Sequence, residues 1–319
     1  MSGRRILFSS LSGKTALLKE VLCDARSYSP RAVVLGADCD KNCAAASQIE
    51  NFIEMPSLAQ LSDHDLLQFC IQNKITHILP TRDGELLFWA RRKSILRTIG
   101  VTPLVSEPDF IETCEDKASF FMNWKNSVVP AIPTYHKLKP SGVKRWVVKE
   151  RTGSGSRKIG LKLSPEDALQ YSKKLNDPIF QPFIEGKEYT AETWVSKSNH
   201  CQGVLLRWRQ EVINGESHLT EVFNNPDWES KMRGVFEHMP GARGHCIAQV
   251  LVDSESNLHL VEINPRLGGA SPLAIRAGLC SIKWHLMEED NKLGNLIPPR
   301  TFPTGMYLRK QNSKVSFGP

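Results

Sequence analysis

The sequence predicts an α/β half followed by an α+β half. Three observations lead there. Through about residue 105, short apolar strands alternate with helical stretches, the pattern of a parallel sheet covered on both faces. From Glu107 the pattern changes to strand pairs punctuated by Gly and Pro. Near the C-terminal end, an apolar run and an alternating run flank turn residues and carry oxygen-bearing side chains. At 319 residues there is room for two or three domains, each with its own core.

In the first half, residues 4–10 (RRILFSS) read as a buried strand, and residues 11–15 turn into an apolar helix from Ala16 to Cys23. The Ser12-Gly13-Lys14-Thr15 run invites a phosphate loop, but that motif needs a glycine where Phe8 stands inside the strand. Further strands fall at 31–36, 52–56, 75–79 and 101–105. Helices are expected over 65–73, capped by Ser62-Asp63, and over 83–99. No GxGxxG follows these strands, so hydride transfer with a dinucleotide has no support. His77 lies in an apolar strand and reads as a core histidine. Thr81, Arg82, Asp83 and Glu85 follow a strand's C-terminal end, where open sheets of this class bind ligands. They are candidate substrate residues, with a solvated helix cap as the plainer alternative.

In the second half, residues 109–124 look helical, with Asp116-Lys117 near the middle. Strands at 145–149 and 159–163 flank a Gly/Ser tip within residues 150–158 (ERTGSGSRK). Flanked by Lys149, Arg151, Arg157 and Lys158, such a tip can wrap a polyphosphate with backbone N–H groups and fixed charge, or be a solvated hairpin end. Residues 164–167 open a helix through Leu175. Residues 178–186 (PIFQPFIEG) form an extended apolar segment. Gln181 through Ile184 could offer main-chain groups and apolar walls to a purine, with Glu188 accepting from ribose hydroxyls; core packing would look the same. Residues 188–195 and 201–209 read as antiparallel strands. Arg207 and Arg209 flank Trp208 and so share one face, suited to an anion or simply solvated.

The hairpin of residues 247–264 carries the most chemistry. A four-residue loop, Ser254 to Asn257, would set Gln249 opposite Glu262, on a face shared with Leu260 and Asn264. Hard oxygen ligands placed this way suit Mg²⁺. Pro265 then stops the strand, Arg266 adds a fixed charge, and Gly268-Gly269 allows close backbone approach to a ligand. A polar edge strand with a Pro/Gly turn is the bland alternative.

Composition narrows the classes. Apolar residues make up 40% and charged residues 24%, as in ordinary globular proteins. Net charge is +7, but the basic residues are scattered without the stripe that nucleic acid requires, so no nucleic-acid partner is expected. None of the eight cysteines forms a CxxC pair, which argues against structural zinc. No apolar run approaches the ~20 residues that span a bilayer, so no membrane partner is expected. No leader precedes residue 20, and free thiols then lead us to expect the cytoplasm.

Taken in order, Lys117, Lys149 with its Gly/Ser loop, the QPFIEGKEYTAE segment and the QVLVD…HLVEINPRLGG run resemble the ATP-grasp superfamily. The nearest likeness is to its carbamoyl-phosphate-synthase-like and amino-acid-ligase members. The resemblance implies a Rossmann-like pre-ATP-grasp domain over 1–106 and an ATP-grasp domain over 107–319, with a small lid subdomain about 125–183. It implies that Lys117 and Lys149 hold ATP phosphates under a lid of Gly153, Ser154, Gly155 and Ser156. Gln181, Phe183 and Ile184 would line the adenine slot, and Glu188 would meet the ribose. Gln249, Glu262 and Asn264 would hold one or two Mg²⁺ ions, for which Mn²⁺ could substitute, and Arg266 would face the transferred phosphoryl group. Arg207, Arg209, Arg266, Gly268, Gly269 and Ser271, with Asp83 and Glu85, are candidates for the substrate side. The implied activity is ATP-dependent carboxylate–amine ligation through an acyl phosphate, on small-molecule acids and amines, in a chain that could be a homo-oligomer. A carboxyphosphate-forming enzyme and a non-catalytic ATP-binding subunit stay open, the latter because Gln249 stands where many members carry a carboxylate. The family's lid loop commonly starts with a proline, where this chain has Glu150-Arg151.

Overall fold

Short apolar strands followed by helices build a parallel sheet in the first third of the chain. Its elements are β1 (Arg5–Phe8), α1 (Thr15–Tyr28), β2 (Val33–Asp38), β3 (Phe52–Glu54), α2 (Asp63–Gln72), β4 (His77–Leu79), α3 (Asp83–Arg91), α4 (Lys93–Arg97) and β5 (Thr102–Pro103). Strand order is β3-β2-β1-β4-β5, every pairing parallel. Because β1 is covered on both faces, Ile6, Leu7 and Phe8 are all buried. Leu7 packs with α2 and α3 on one side, whereas Ile6 and Phe8 pack with α1 on the other. The order reverses between β1 and β4, which marks the switch point of this sheet. The computed structural model describes residues 3–138, 142–153, 158–213, 215–295, 299, 301–308 and 314–317.

The chain continues through α5 (Pro108–Glu115) and α6 (Lys117–Trp124). The single helix expected over 109–124 is therefore two. Asp116, with extended backbone between them, caps α6 by accepting from the backbone N–H groups of Ala118 and Ser119. The helix expected over 83–99 likewise divides at Arg92, which ends α3 and opens α4.

A small sheet follows, ordered β7-β6-β8 and built from β6 (Trp146–Glu150), β7 (Gly160–Leu163), α7 (Pro165–Ser172) and β8 (Pro178–Pro182). Its core is Trp146, Val148, Ala168 and Phe180. Seven strands then form the largest sheet, ordered β13-β12-β9-β10-β11-β14-β15. The elements are β9 (Gly186–Val195), β10 (Cys201–Ile213), β11 (Glu216–Phe223), α8 (Pro226–Glu237), β12 (Gly244–Asp253), β13 (Leu258–Asn264), α9 (Ser271–Arg276), α10 (Ser281–Glu289), β14 (Gly305–Leu308) and β15 (Lys314–Phe317). Beyond residue 300 the chain thus adds two more strands, β14 on β11 and β15 at the edge.

Alternation sorts this sheet into two faces. Tyr189, Ala191, Leu206, Ala248, Val250, Leu260 and Ile263 face a core shared with α5, α6 and α8. Leu205, Trp194 and Val222 face the other way and pack against α9 and α10 near one end. Leu267, Ile275, Ile282 and Leu286 also pack against the α1 side of the parallel sheet. The loop after β13 and the helices that follow it therefore join the two larger sheets.

Candidate active site

The functional face of the large sheet begins at its β13 edge. Gln249 pairs with Glu262, and Ile247 with Asn264, as the sequence spacing predicts. The route differs. The strands rejoin at Val252 and Leu258, so the turn holds five residues, Asp253 to Asn257. Its length follows from Asp253, whose carboxylate accepts from the backbone N–H groups of Glu255 and Asn257. A bulge at Val261, between the Val250–Leu260 and Gln249–Glu262 pairs, then restores the register. The extra residue also turns Glu262 away from Leu260, which faces the core instead of sharing the polar face. Asn264 remains beside Glu262, its amide donating to Glu262 Oε1 at 2.9 Å.

Register continues this row inward. Gln249 pairs with Thr190 on β9, and Thr190 pairs with Arg207 on β10. A line Glu262–Gln249–Thr190–Arg207 crosses four strands. Thr190 is fully buried, and its hydroxyl has no hydrogen-bond partner among the described residues. One step along β9 lies Glu188, with Arg209 Nε 3.3 Å from its Oε1. Burial raises the Glu188 carboxyl above its ordinary pKa, and Arg209 opposes that shift.

One step in the other direction lies a group that the sequence reading passed over, Glu192. It is wholly buried and accepts from Arg207 Nε at 2.6 Å and from Ser271 Oγ at 2.7 Å. Arg207 takes Oε1, and His245 Nε2 lies 2.9 Å from Oε2, the oxygen that Ser271 also meets. Burial would raise this carboxyl, but Arg207 and His245 hold it down at about 2. Arg207 also donates to Thr220 and Ser217. Ser271 accepts from the Gly268 N–H at 2.9 Å, which fixes the loop after Arg266 against the sheet. A Cβ at Gly268 would come within 2.8 Å of Ile247 Cδ1, so glycine permits that close approach. Arg207 and Ser271 are thus engaged inside the protein. The available signal was the alternation of Glu188, Thr190 and Glu192, which sets a carboxylate in mid-strand among large apolar neighbours.

The small sheet brings the cations. Lys149 is on β6 and buried, and its ammonium makes no hydrogen bond or ion pair among the described residues. Burial pushes its ammonium down to about 8, against the attraction of Glu262. Lys117, at the first position of α6, donates through Nζ to the carbonyl of Gly153 at 2.9 Å. Burial lowers it too, and Glu262 again opposes. Glu262 is therefore the carboxylate that both lysines sense. Arg151 forks onto Asp116, with Nη2 2.5 Å from Oδ2. Glu150 accepts the backbone N–H groups of Asn176 and Asp177. The two residues that replace a Pro-containing start thus tie down the base of the loop. Gly153 begins the expected lid, whereas Ser154, Gly155 and Ser156 lie outside the described residues.

Gln181, Phe183 and Ile184 stand where the chain crosses from β8 to β9, between the small and large sheets. Gln181 is buried and donates to Thr134 Oγ1 at 2.8 Å, and Phe183 packs under Lys162. At the far side, Arg266 forks onto Asp83 of the parallel sheet's α3, with Nη2 2.7 Å from Oδ2. Glu85 is wholly buried and accepts from the backbone N–H groups of Thr81 and Arg82.

The oxygens of Glu262, Gln249 and Asn264 suit a hard divalent cation, with one carboxylate and two amides as donors. Among the described residues no group of three or more His, Cys, Asp or Glu could hold a metal, so a thiol- or imidazole-bound ion has no alternative cage there.

A two-lobed α+β grasp behind a parallel sheet, with one buried and one half-buried lysine near a carboxylate on the large sheet, defines the class. Residues 114–270 match the family model described as an ATP-grasp domain. Solved structures share the fold over 96% of this chain. They include a biotin carboxylase–βγ-ATP complex from Campylobacter jejuni, with TM-score 0.73, 12% identity and 75% of that chain covered. Another is N5-carboxyaminoimidazole synthetase from Staphylococcus aureus complexed with ADP, with TM-score 0.70, 14% identity and 82% covered. A third is the L-amino acid ligase from Bacillus licheniformis, with TM-score 0.70, 12% identity and 79% covered. None of the curated proteins matches the chain by sequence. No helix among the described residues is long and apolar enough to cross a membrane.

Proposed function

We propose that this protein is an ATP- and Mg²⁺-dependent ligase that joins a small carboxylic acid to an amine through an acyl phosphate. The observation that carries the reading is Lys149, a buried ammonium without a bonding partner among the described residues, set near Glu262 and Lys117. A buried cation is costly unless an anion completes it, and a polyphosphate is the anion this grasp suits. In this reading a pre-ATP-grasp domain over 1–106 precedes the grasp over 107–319, which has its lid at about 125–183.

In the first step a carboxylate oxygen of the acid attacks the γ-phosphorus. The bond from that phosphorus to the bridging oxygen breaks, and ADP leaves with the electron pair. In the second the amine attacks the acyl carbon, inorganic phosphate leaves, and the amine gives up a proton. Lys117 and Lys149 hold the phosphates and Arg266 balances charge on the moving group, since phosphoryl transfer is mostly positioning and neutralisation. Gln181, Phe183 and Ile184 form the adenine slot, and Glu188 meets the ribose. Glu262, Asn264 and Gln249 would hold Mg²⁺, or Mn²⁺, which supplies positive charge at the phosphate oxygens. Arg209, Gly268 and Gly269 face the acid.

The test is coupled ADP release with Mg²⁺ against pooled acids and amines, in wild type and Glu262→Ala. Release that needs both an acid and an amine, and that disappears in the variant, is expected. Gln249 favours a second reading, an ATP-binding subunit without turnover, because a neutral amide holds a second metal weakly. Protection by ATP against thermal unfolding with silence in every pool would favour that reading, and no protection would reject both.

A further inference from the structure

The Asp83–Arg266 pair joins two domains across 183 positions of sequence. Arg266 follows β13 on the grasp, and Asp83 opens α3 of the parallel sheet. Arg266 Nε and Nη2 both donate to the carboxylate, and Nη1 donates to the Leu267 carbonyl at 3.2 Å. Side-on pairing through Nε and Nη2 leaves the opposite edge of the guanidinium, between the two Nη atoms, for another anion.

Asp83 is itself held firmly. Glu85 caps the start of α3 through the Thr81 and Arg82 N–H groups and accepts from Ser10 Oγ at 3.1 Å. Lys14, the lysine of the Ser-Gly-Lys-Thr run, donates to the Ser10 carbonyl and to both the carbonyl and hydroxyl of Thr81. With three acceptors for three protons, Lys14 is a strut between the loops after β1 and β4. These loops flank the switch point, where sheets of this kind usually take a ligand. Here internal bonds occupy the crevice and present Asp83 to Arg266.

We infer that Asp83 is a positioning residue: it orients Arg266 toward the transferred phosphoryl group, so the parallel-sheet domain completes the grasp's active site. This rests on the ligase reading above, in which Arg266 faces that group.

The experiment compares Mg·ADP with Mg·ADP plus tetrafluoroaluminate, a mimic of the phosphoryl group in transfer, binding to the full chain by calorimetry. Asp83→Asn should bind Mg·ADP as wild type does but lose about 10- to 100-fold in affinity for the tetrafluoroaluminate complex, the size typical of an orienting partner. Arg266→Lys should lose at least as much, and the double variant no more than Arg266→Lys alone. A merely structural role would weaken both ligands together or add to the Arg266 loss, and either result overturns the inference. So does equal affinity of Asp83→Asn and wild type for the tetrafluoroaluminate complex. If Asp83→Asn does not fold by circular dichroism, Asp83→Glu decides: it keeps the charge but displaces it, and selective loss supports the inference while no loss overturns it. Failure of wild type to bind Mg·ADP would instead remove the ligase reading, and this inference with it.

Discussion

Gln249 faces Glu262 across β12 and β13 although the turn between those strands is one residue longer than simple alternation predicts. The bulge at Val261 compensates, so the pairing is specified twice, by turn and by bulge. An amide and a carboxylate can sit opposite each other without repulsion, whereas two carboxylates there would repel in the absence of metal. Gln249→Glu is therefore expected to lower the Mg²⁺ concentration for half-maximal ADP release several-fold and to destabilise the metal-free protein slightly. A Mg²⁺ titration of turnover checks this, and an unchanged midpoint would show that position 249 does not reach the metal.

Glu192, one step along β9, holds Arg207 at the other end of that row. Removing one partner of a buried ion pair leaves an uncompensated charge, which costs about 3–5 kcal/mol. Glu192→Gln should therefore lose stability on that scale in urea unfolding, because Arg207 would stay buried without its carboxylate. Replacing both, with Glu192→Gln and Arg207→Met, should lose less than the sum of the two single changes. Additive losses would mean that the two residues act separately.

What sequence reveals here follows from distance along the chain. Alternation within eight residues is enough to align Glu188, Thr190 and Glu192, and turn chemistry is enough to pair Gln249 with Glu262. Local pattern also finds the helical stretch that carries Lys117 and the strand that carries Lys149. It does not find the Val261 bulge, because nothing in LHLVEIN distinguishes a bulged residue from a paired one. The break at Asp116 escapes it as well, because the apolar pattern on both sides reads as one continuous helix. Arg207 looked free for a substrate because its partner, Glu192, lies on a neighbouring strand. Asp83 and Arg266 meet across 183 positions of sequence, and no local signal in either segment announces the other.

Asp116 joins two jobs that can be separated. It caps α6 and forks with Arg151, whose carbonyl in turn accepts the Lys117 N–H at 3.1 Å. Losing the cap costs about 1 kcal/mol, and the half-exposed ion pair adds little. The larger effect of Asp116→Ala should fall on Lys117, the next residue. We expect KM for ATP to rise several-fold with kcat nearly constant, since phosphate binding in the ground state would weaken. Steady-state kinetics over an ATP series distinguishes this from a loss confined to kcat.

Lys149 gives the site a pH signature. Burial holds its ammonium at about 8, and in the proposed site it is the protonated form that would bind phosphate. Affinity for Mg·ATP should therefore be full below about pH 8 and fall up to about tenfold per pH unit above it, with a proton taken up on binding. Burial brings Lys14 to about 8 as well, so the step alone does not name its source. Lys149→Arg separates them, because arginine stays charged throughout this range. If Lys149 is responsible, the variant binds with little pH dependence between pH 7 and 9, and proton uptake measured by calorimetry in buffers of different ionisation enthalpy disappears. An unchanged slope in Lys149→Arg would move the titration to Lys14, at the domain junction, and would leave the phosphate site without a titrating lysine.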